Sequence, residues 1–268
     1  MTDQQATADT LTAPPAAPSP GRRRPRLRTV LRWGAAVLLL GLSGTAAAFA
    51  VAAPDRTDLP GLRTPADGRY TFPQPTLPPL PAGKPAPSAV GNSGIHYADL
   101  RGLLLPAPQE ATGTVAPAPA ATSAAGCAPF AEQFTDSAAI RRSLTESACR
   151  RGTGRVWTAS DGTRTEIRLV GFGSEPEARE LYTVLPDATL KAVPDQVAAS
   201  AFDVAFPSGV SGTSSVRRQT VDGVRRDVAR TLRLRAGDLV ATVVMTNPEG
   251  VPDAAFRQVV SLQAGLLG

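Results

Sequence analysis

The second half of the chain spaces its apolar residues with two different periods. Ile140 and Leu144 stand four apart, as do Phe130 and Phe134, so each pair shares one helical face, and Ala139 to Ala148 reads as a helix. Around residues 155–170 the period drops to two. Ile167 and Leu169 alternate with Glu166 and Arg168, the mark of a strand with one wet face. Segments 155–160 and 163–170 flank Asp161-Gly162, which predicts a hairpin with a type I′ turn. Ser174-Glu175-Pro176-Glu177 opens a helix, with Ser as cap, Pro in the first turn and Glu at the positive end. That helix runs to about Leu185, before Pro186.

A meander follows. Residues 216–221 turn at Asp222-Gly223 into 224–235, and Ala236-Gly237-Asp238 turns into 239–245. The last of these strands is apolar on both faces and belongs at the centre of a sheet. After Pro252-Asp253, the residues Phe256, Val259, Val260, Gln263 and Leu267 recur at helical spacing. Hairpin, helix, meander, helix is an α+β order. It predicts a globular domain over 127–268, an antiparallel sheet of two hairpin or meander units with helices on one face.

The first half has another character. Of 26 prolines, 19 fall in residues 1–121. Residues 1–32 are polar and without apolar periodicity, as in a disordered tail. Residues 33–53 carry no charge; as a helix they would cover about 31 Å, the thickness of a hydrocarbon core. Six Arg (Arg22, Arg23, Arg24, Arg26, Arg28, Arg32) precede this run and no positive excess follows it. That asymmetry puts the N-terminus in the cytoplasm and the bulk of the chain outside. Two readings share this topology. One is an uncleaved signal anchor, favoured by the long segment before the span. The other is a signal peptide cut after Ala48-Phe49-Ala50, giving a secreted protein. A lipoprotein does not fit, since the first cysteine is Cys127.

Residues 54–126 read as a Pro/Ala-rich linker, of polyproline II character over 54–93. Pro78 to Pro81 also has the form of an aromatic-groove ligand, though a spacer fits the setting better. One island interrupts the linker. Leu100, Leu103 and Leu104 share a helical face, Asp99 stands where a cap would, and Pro106 ends the run. So short a helix, near 98–105, is stable only if docked on the globular domain. The string Asp99-Leu100-Arg101-Gly102-Leu103-Leu104-Leu105-Pro106-Ala107-Pro108, with its anchor-and-linker layout, resembles Streptomyces-type single-pass membrane or exported proteins. The resemblance covers about ten residues; it implies an envelope location and no activity.

Charge changes the picture once it is divided. The formal net charge is +5, as in a nucleic-acid binder. Residues 1–53 hold six Arg against Asp3 and Asp9, leaving 22 basic and 21 acidic groups for 54–268. No nucleic-acid partner is therefore expected. Within the meander, Arg217, Arg218, Arg225, Arg226, Arg230, Arg233 and Arg235 crowd one hairpin. By strand alternation Arg225, Arg233 and Arg235 oppose Leu232 and Leu234. Arg217, Arg218, Arg225, Arg233 and Arg235 are thus a candidate contact patch for an anionic polymer or an acidic envelope protein. The plainer reading is a solvated face that blunts edge pairing.

Catalytic chemistry is sparse. Cys127 and Cys149 are the two cysteines; outside the cytoplasm such a pair predicts a disulfide. They lack the His partners of a zinc site and the Cys-x-x-Cys spacing of a redox pair. His96, the single histidine, lies in the linker and reads as exposed, so a Ser-His-Asp triad would have to recruit it from outside the domain. Gly171-Phe172-Gly173-Ser174 lacks the Lys and spacing of a phosphate loop. Glu175, Glu177 and Glu180 serve a helix start. The sequence reads as a non-catalytic binding, sensing or scaffolding module without catalytic, metal or cofactor residues. A hydrolase working through carboxylates alone is the alternative.

Overall fold

The computed structural model describes residues 68–89, 91–115, 124–195, 197–198 and 204–268. The expected tail (1–32) and span (33–53) lie outside them. Among the described residues no helix is long and apolar enough to cross a membrane. Seven strands form one sheet: β1 (Thr112–Val115), β2 (Arg151–Thr158), β3 (Arg164–Gly171), β4 (Val197–Ala198), β5 (Val210–Val221), β6 (Val224–Ala236) and β7 (Leu239–Thr246). Their spatial order is β1-β2-β3-β7-β6-β5-β4, and every neighbouring pair is antiparallel. The described α-helices are α1 (Ala128–Glu132), α2 (Ser137–Glu146), α3 (Glu175–Val184) and α4 (Asp253–Gly265). The class is α+β, and the doubly apolar strand β7 sits at the centre of the sheet.

That central position accounts for one departure. Leu239, Ala241, Val243 and Met245 face one core, while Val240 and Val244 face another. A strand apolar on both sides needs cover on both. The helices therefore divide between the faces instead of sharing one. Ala255, Phe256, Val259 and Val260 of α4 close the first side; Phe130 of α1, Ile140 and Leu144 of α2, and Ala178 and Leu181 of α3 close the second.

The other half of the first side is filled by residues assigned above to the linker. Tyr70, Leu100, Leu103, Leu104 and Leu105 belong to the same core as α4, and the compact unit runs from Ala66 to Gly268. The domain boundary thus moves from 127 to 66. Pro-rich backbone offers few ladder partners, and side-chain amides of α4 replace them. Gln258 accepts from Tyr70 N and donates to Tyr70 O, both at 2.9 Å. Buried Gln263 accepts from Leu105 N at 2.9 Å and donates to Leu103 O at 2.8 Å. Residues 98–105 dock as expected, but as successive turns (Gly102 N to Asp99 O, Leu103 N to Leu100 O) and not as a helix. Phe72 meets Trp157 edge-on at 6.4 Å and Tyr70 at 6.3 Å, so an aromatic row ties the segment to β2.

Turn chemistry separates two Asp-Gly pairs. Asp222 and Gly223 both have positive φ (50° and 76°) and close Val221 onto Val224, as a type I′ turn requires. At Asp161-Gly162 only Gly162 is left-handed (φ 82°), and the loop spans 159–163, because Thr158 pairs with Arg164. Tyr70 Oη and Asn247 Nδ2 bind Asp161 at 3.0 and 3.2 Å, and these tertiary bonds hold the wider loop. Ser174 precedes α3 without capping it; the Glu177 carboxylate reaches back to accept from Gly173 N at 2.7 Å instead.

Candidate functional site

At one end of the sheet, the turn joining β6 to β7 packs against Ser93-Gly94. Gly94 and Gly237 both lie in the left-handed region (φ 74° and 50°), and a Cβ on Gly94 would stand 2.8 Å from Gly237 Cα. Only glycine admits this approach of backbone to backbone. Beside it opens a cleft of about 550 Å³, walled by Ser88, Ser93, His96, Ser208, Ser211 and the Glu175–Arg235 pair, among others. A separate pocket of about 170 Å³ is lined by Leu77, Leu80, Tyr97, Leu103 and Leu266. His96 and Leu267 belong to both walls.

His96 is not an exposed linker residue. It is 3 % exposed and Asp238 beside it is fully buried. Asp238 Oδ1 lies 2.7 Å from His96 Nδ1 and accepts from His96 N at 2.9 Å. Arg151 Nη2 reaches Asp238 Oδ2 at 3.2 Å and also donates to His96 O. Four parts of the chain thereby close on one carboxylate: the 92–98 segment, the start of β2, the β6–β7 turn and, through the histidine, the end of the chain after α4. A His–Asp pair at this distance is the orienting half of a nucleophilic triad. Here His96 Nε2 stands 2.9 Å from Leu267 O, a main-chain acceptor where a serine hydroxyl would have to be. In this arrangement the pair is a structural clasp.

Two guanidiniums share the Glu175 carboxylate of the cleft wall. Glu175 Oε1 receives Arg179 Nη2 at 2.6 Å and Arg235 Nη1 at 2.7 Å. Those two guanidiniums hold the Glu175 carboxyl below its ordinary range. Among the described residues no group of three or more His, Cys, Asp or Glu is placed to hold a metal ion.

The predicted patch residues part company. Arg233 alternates with Leu232 and Leu234 as expected, but its face is roofed by helices and not wetted. The residue is 2 % exposed. Nη2 donates to Ala188 O at 2.8 Å and Nη1 to Ser215 Oγ at 3.4 Å; among the described residues it has no carboxylate partner and its Nε has no acceptor. Burial lowers its pKa. Arg235 serves Glu175. Arg218 pairs with Asp227 at 3.0 Å, Arg230 with Asp227 and Asp253, and Arg226 with Glu249. Arg217 and Arg225 have no ion pair among the described residues, and Arg225 is exposed. The hairpin is mostly a neutralised lattice, with a reduced basic surface near its tip.

Cys127 and Cys149 form a disulfide with Cα atoms 6.4 Å apart, inside the core beneath α1–α3. Sequence reasoning missed Arg151, Asp238 and the cleft serines. The one available signal was local: 91–98 is free of proline, and its His stands between turn and core residues.

No family model matches the chain, and no curated protein matches it in sequence. Its structure is similar to the extracellular domain of PknH from Mycobacterium tuberculosis, with a TM-score of 0.37 and 12 % identity over 62 % of this chain and 92 % of that one.

Proposed function

We propose that the protein is a membrane-anchored, extracytoplasmic binding or sensing module of the cell envelope, without catalytic activity of its own. The observation that carries this reading is the buried Cys127–Cys149 disulfide, a bond that persists in oxidising compartments. The arginines before the uncharged 33–53 run give the same side by the positive-inside rule. The clasped histidine, whose Nε2 faces Leu267 O, supports binding over catalysis. Partner contact by an anionic envelope polymer, or by an acidic envelope protein, rests on the reduced surface at Arg217 and Arg225.

An alkaline phosphatase fused after Gly268 should be active, with the protein retained in carbonate-washed membranes. The denatured, unreduced protein should show no titratable thiol. An inactive fusion with an active cytoplasmic reporter, or two free thiols per chain, overturns the reading. Release of a mature protein beginning near Val51 selects the secreted form.

A further inference from the structure

The Pro-rich stretch ahead of the sheet presents an apolar edge to solvent. Phe72, Pro75 and Pro78 are partly buried and the residues between them are exposed, the three-residue period of a polyproline II helix laid on a surface. Pro78 seats on Gly102, where an added Cβ would lie 2.7 Å from Pro78 Cβ. Leu77 and Leu80, one full turn apart, therefore share an outward edge, and they stand 64 % and 40 % exposed. Both rim the 170 Å³ pocket, whose wall includes the buried Leu103, Leu266 and Leu267. The charge around this edge has one sign. From Gly68 to Ala98 the sequence holds two bases, Arg69 and Lys84, and no Asp or Glu. Exposed Lys84 sets its Nζ 4.7 Å over the Tyr97 ring, and Tyr97 lines the same pocket. Leucine, tyrosine and lysine without an acid is the set that suits the boundary between acyl chains and lipid headgroups.

Resting on the membrane-anchor reading, we propose that the Leu77–Leu80 edge seats the domain on the outer leaflet of the membrane that holds the chain. Residues 54–67 join the uncharged run to Gly68; fourteen residues span at most about 50 Å. Gly68 lies against Pro252, just before α4, and the leucine pocket reaches Leu266, just after it. The 13 residues of α4 cover about 20 Å. The tether thus exceeds the distance from its entry point to the leucines, and the edge can lie on the leaflet. On so short a tether the leaflet is always near, so a contact too weak to hold a free domain is enough. The leucines enter the apolar boundary and Lys84 meets anionic headgroups.

The test uses the full chain, one copy per nanodisc, in phosphatidylcholine mixed with phosphatidylglycerol. A single dye-bearing cysteine is placed by Ala82→Cys, between Leu80 and Lys84, or by Arg225→Cys as reference. The reference lies at the other end of α4, since Arg226 beside it packs on Gly250. Nitroxide-labelled lipid should quench the dye at 82 and leave the dye at 225 bright. The two leucines together expose about one whole side chain, so Leu77→Asn/Leu80→Asn should lower the ratio of docked to undocked domain at least about tenfold. The melting temperature of that variant should hold, because both leucines are exposed. Lys84→Gln, or discs of phosphatidylcholine alone, should lower the ratio about fivefold. Equal quenching at 82 and 225, quenching unchanged in the leucine variant, or quenching confined to discs with two copies would overturn the proposal; the last assigns the edge to a second copy of the chain. Each of these leaves the phosphatase, carbonate and thiol results standing. A chain that does not enter the discs overturns the anchor reading, and this proposal with it, so the two failures are distinguishable.

Discussion

Arg233 and Arg225 are eight residues apart on one strand and sit in opposite solvents. Arg233 is buried with no acid beside it among the described residues, while Arg225 faces water. A charge reversal should therefore separate them. Arg233→Glu would place an unpaired carboxylate against Ala188 O and should cost roughly 3 kcal/mol or more. Arg225→Glu should stay within about 0.5 kcal/mol, and urea melts of the two variants measure the difference. Glu175 makes a second test at this scale. Its carboxyl is held below the usual 4.5 by Arg179 and Arg235, so its folded pKa lies under its unfolded one. The stability it contributes is fully present above pH 4.5 and is lost as pH falls through the folded value. Glu175→Gln should thus narrow the gap between denaturation midpoints at pH 7 and at pH 3. The side chain is about a third exposed, so the effect should shrink in 1 M salt.

Among the elements, the 98–105 segment separates a folded part from a tether. Leu104 is 2 % exposed in the core it shares with α4. Leu104→Ala should cost about 2–5 kcal/mol, as for any buried leucine, whereas in a free linker it would cost nothing measurable by thermal melting. Gly237→Ala should also destabilise strongly, because the added Cβ would overlap Gly94 O at a backbone of positive φ. Hydrogen exchange should then rise over 92–98, which the Gly94–Gly237 contact holds in place. Much of the element layer was legible. The 2.0 period of 164–170, the apolar run of 239–245 and the 3.6 spacing after Pro252 became β3, β7 and α4 because local pattern and burial agree there. The wider loop at Asp161-Gly162 was not legible, since Tyr70 and Asn247 set it from 91 and 86 residues away. Nor was the packing of the segment around Tyr70, or the partners that hold 103–105, since those bonds come from Gln258 and Gln263 at the far end of the chain.

For the molecule as a whole, the disulfide closes a loop of sequence separation 22 around α1 and α2. Such a closure restricts the unfolded chain by about 3 kcal/mol. The Cys127→Ala/Cys149→Ala variant should unfold at a correspondingly lower denaturant midpoint and keep the far-ultraviolet spectrum of the sheet. The sequence by itself determined the α+β class, the pairing of the two cysteines, the central strand and the opposed characters of the two halves. These follow from composition and from periods of two or 3.6 residues, which any stretch of chain displays locally. Tertiary structure alone decided that the helices cover both faces, that the domain begins near Ala66, that Arg233 is buried and that His96 is clasped by Asp238, 142 residues away. Each of those depends on which distant surface a residue meets. Alternation assigns a side chain to one face of a strand, and only packing decides whether that face meets water or a helix.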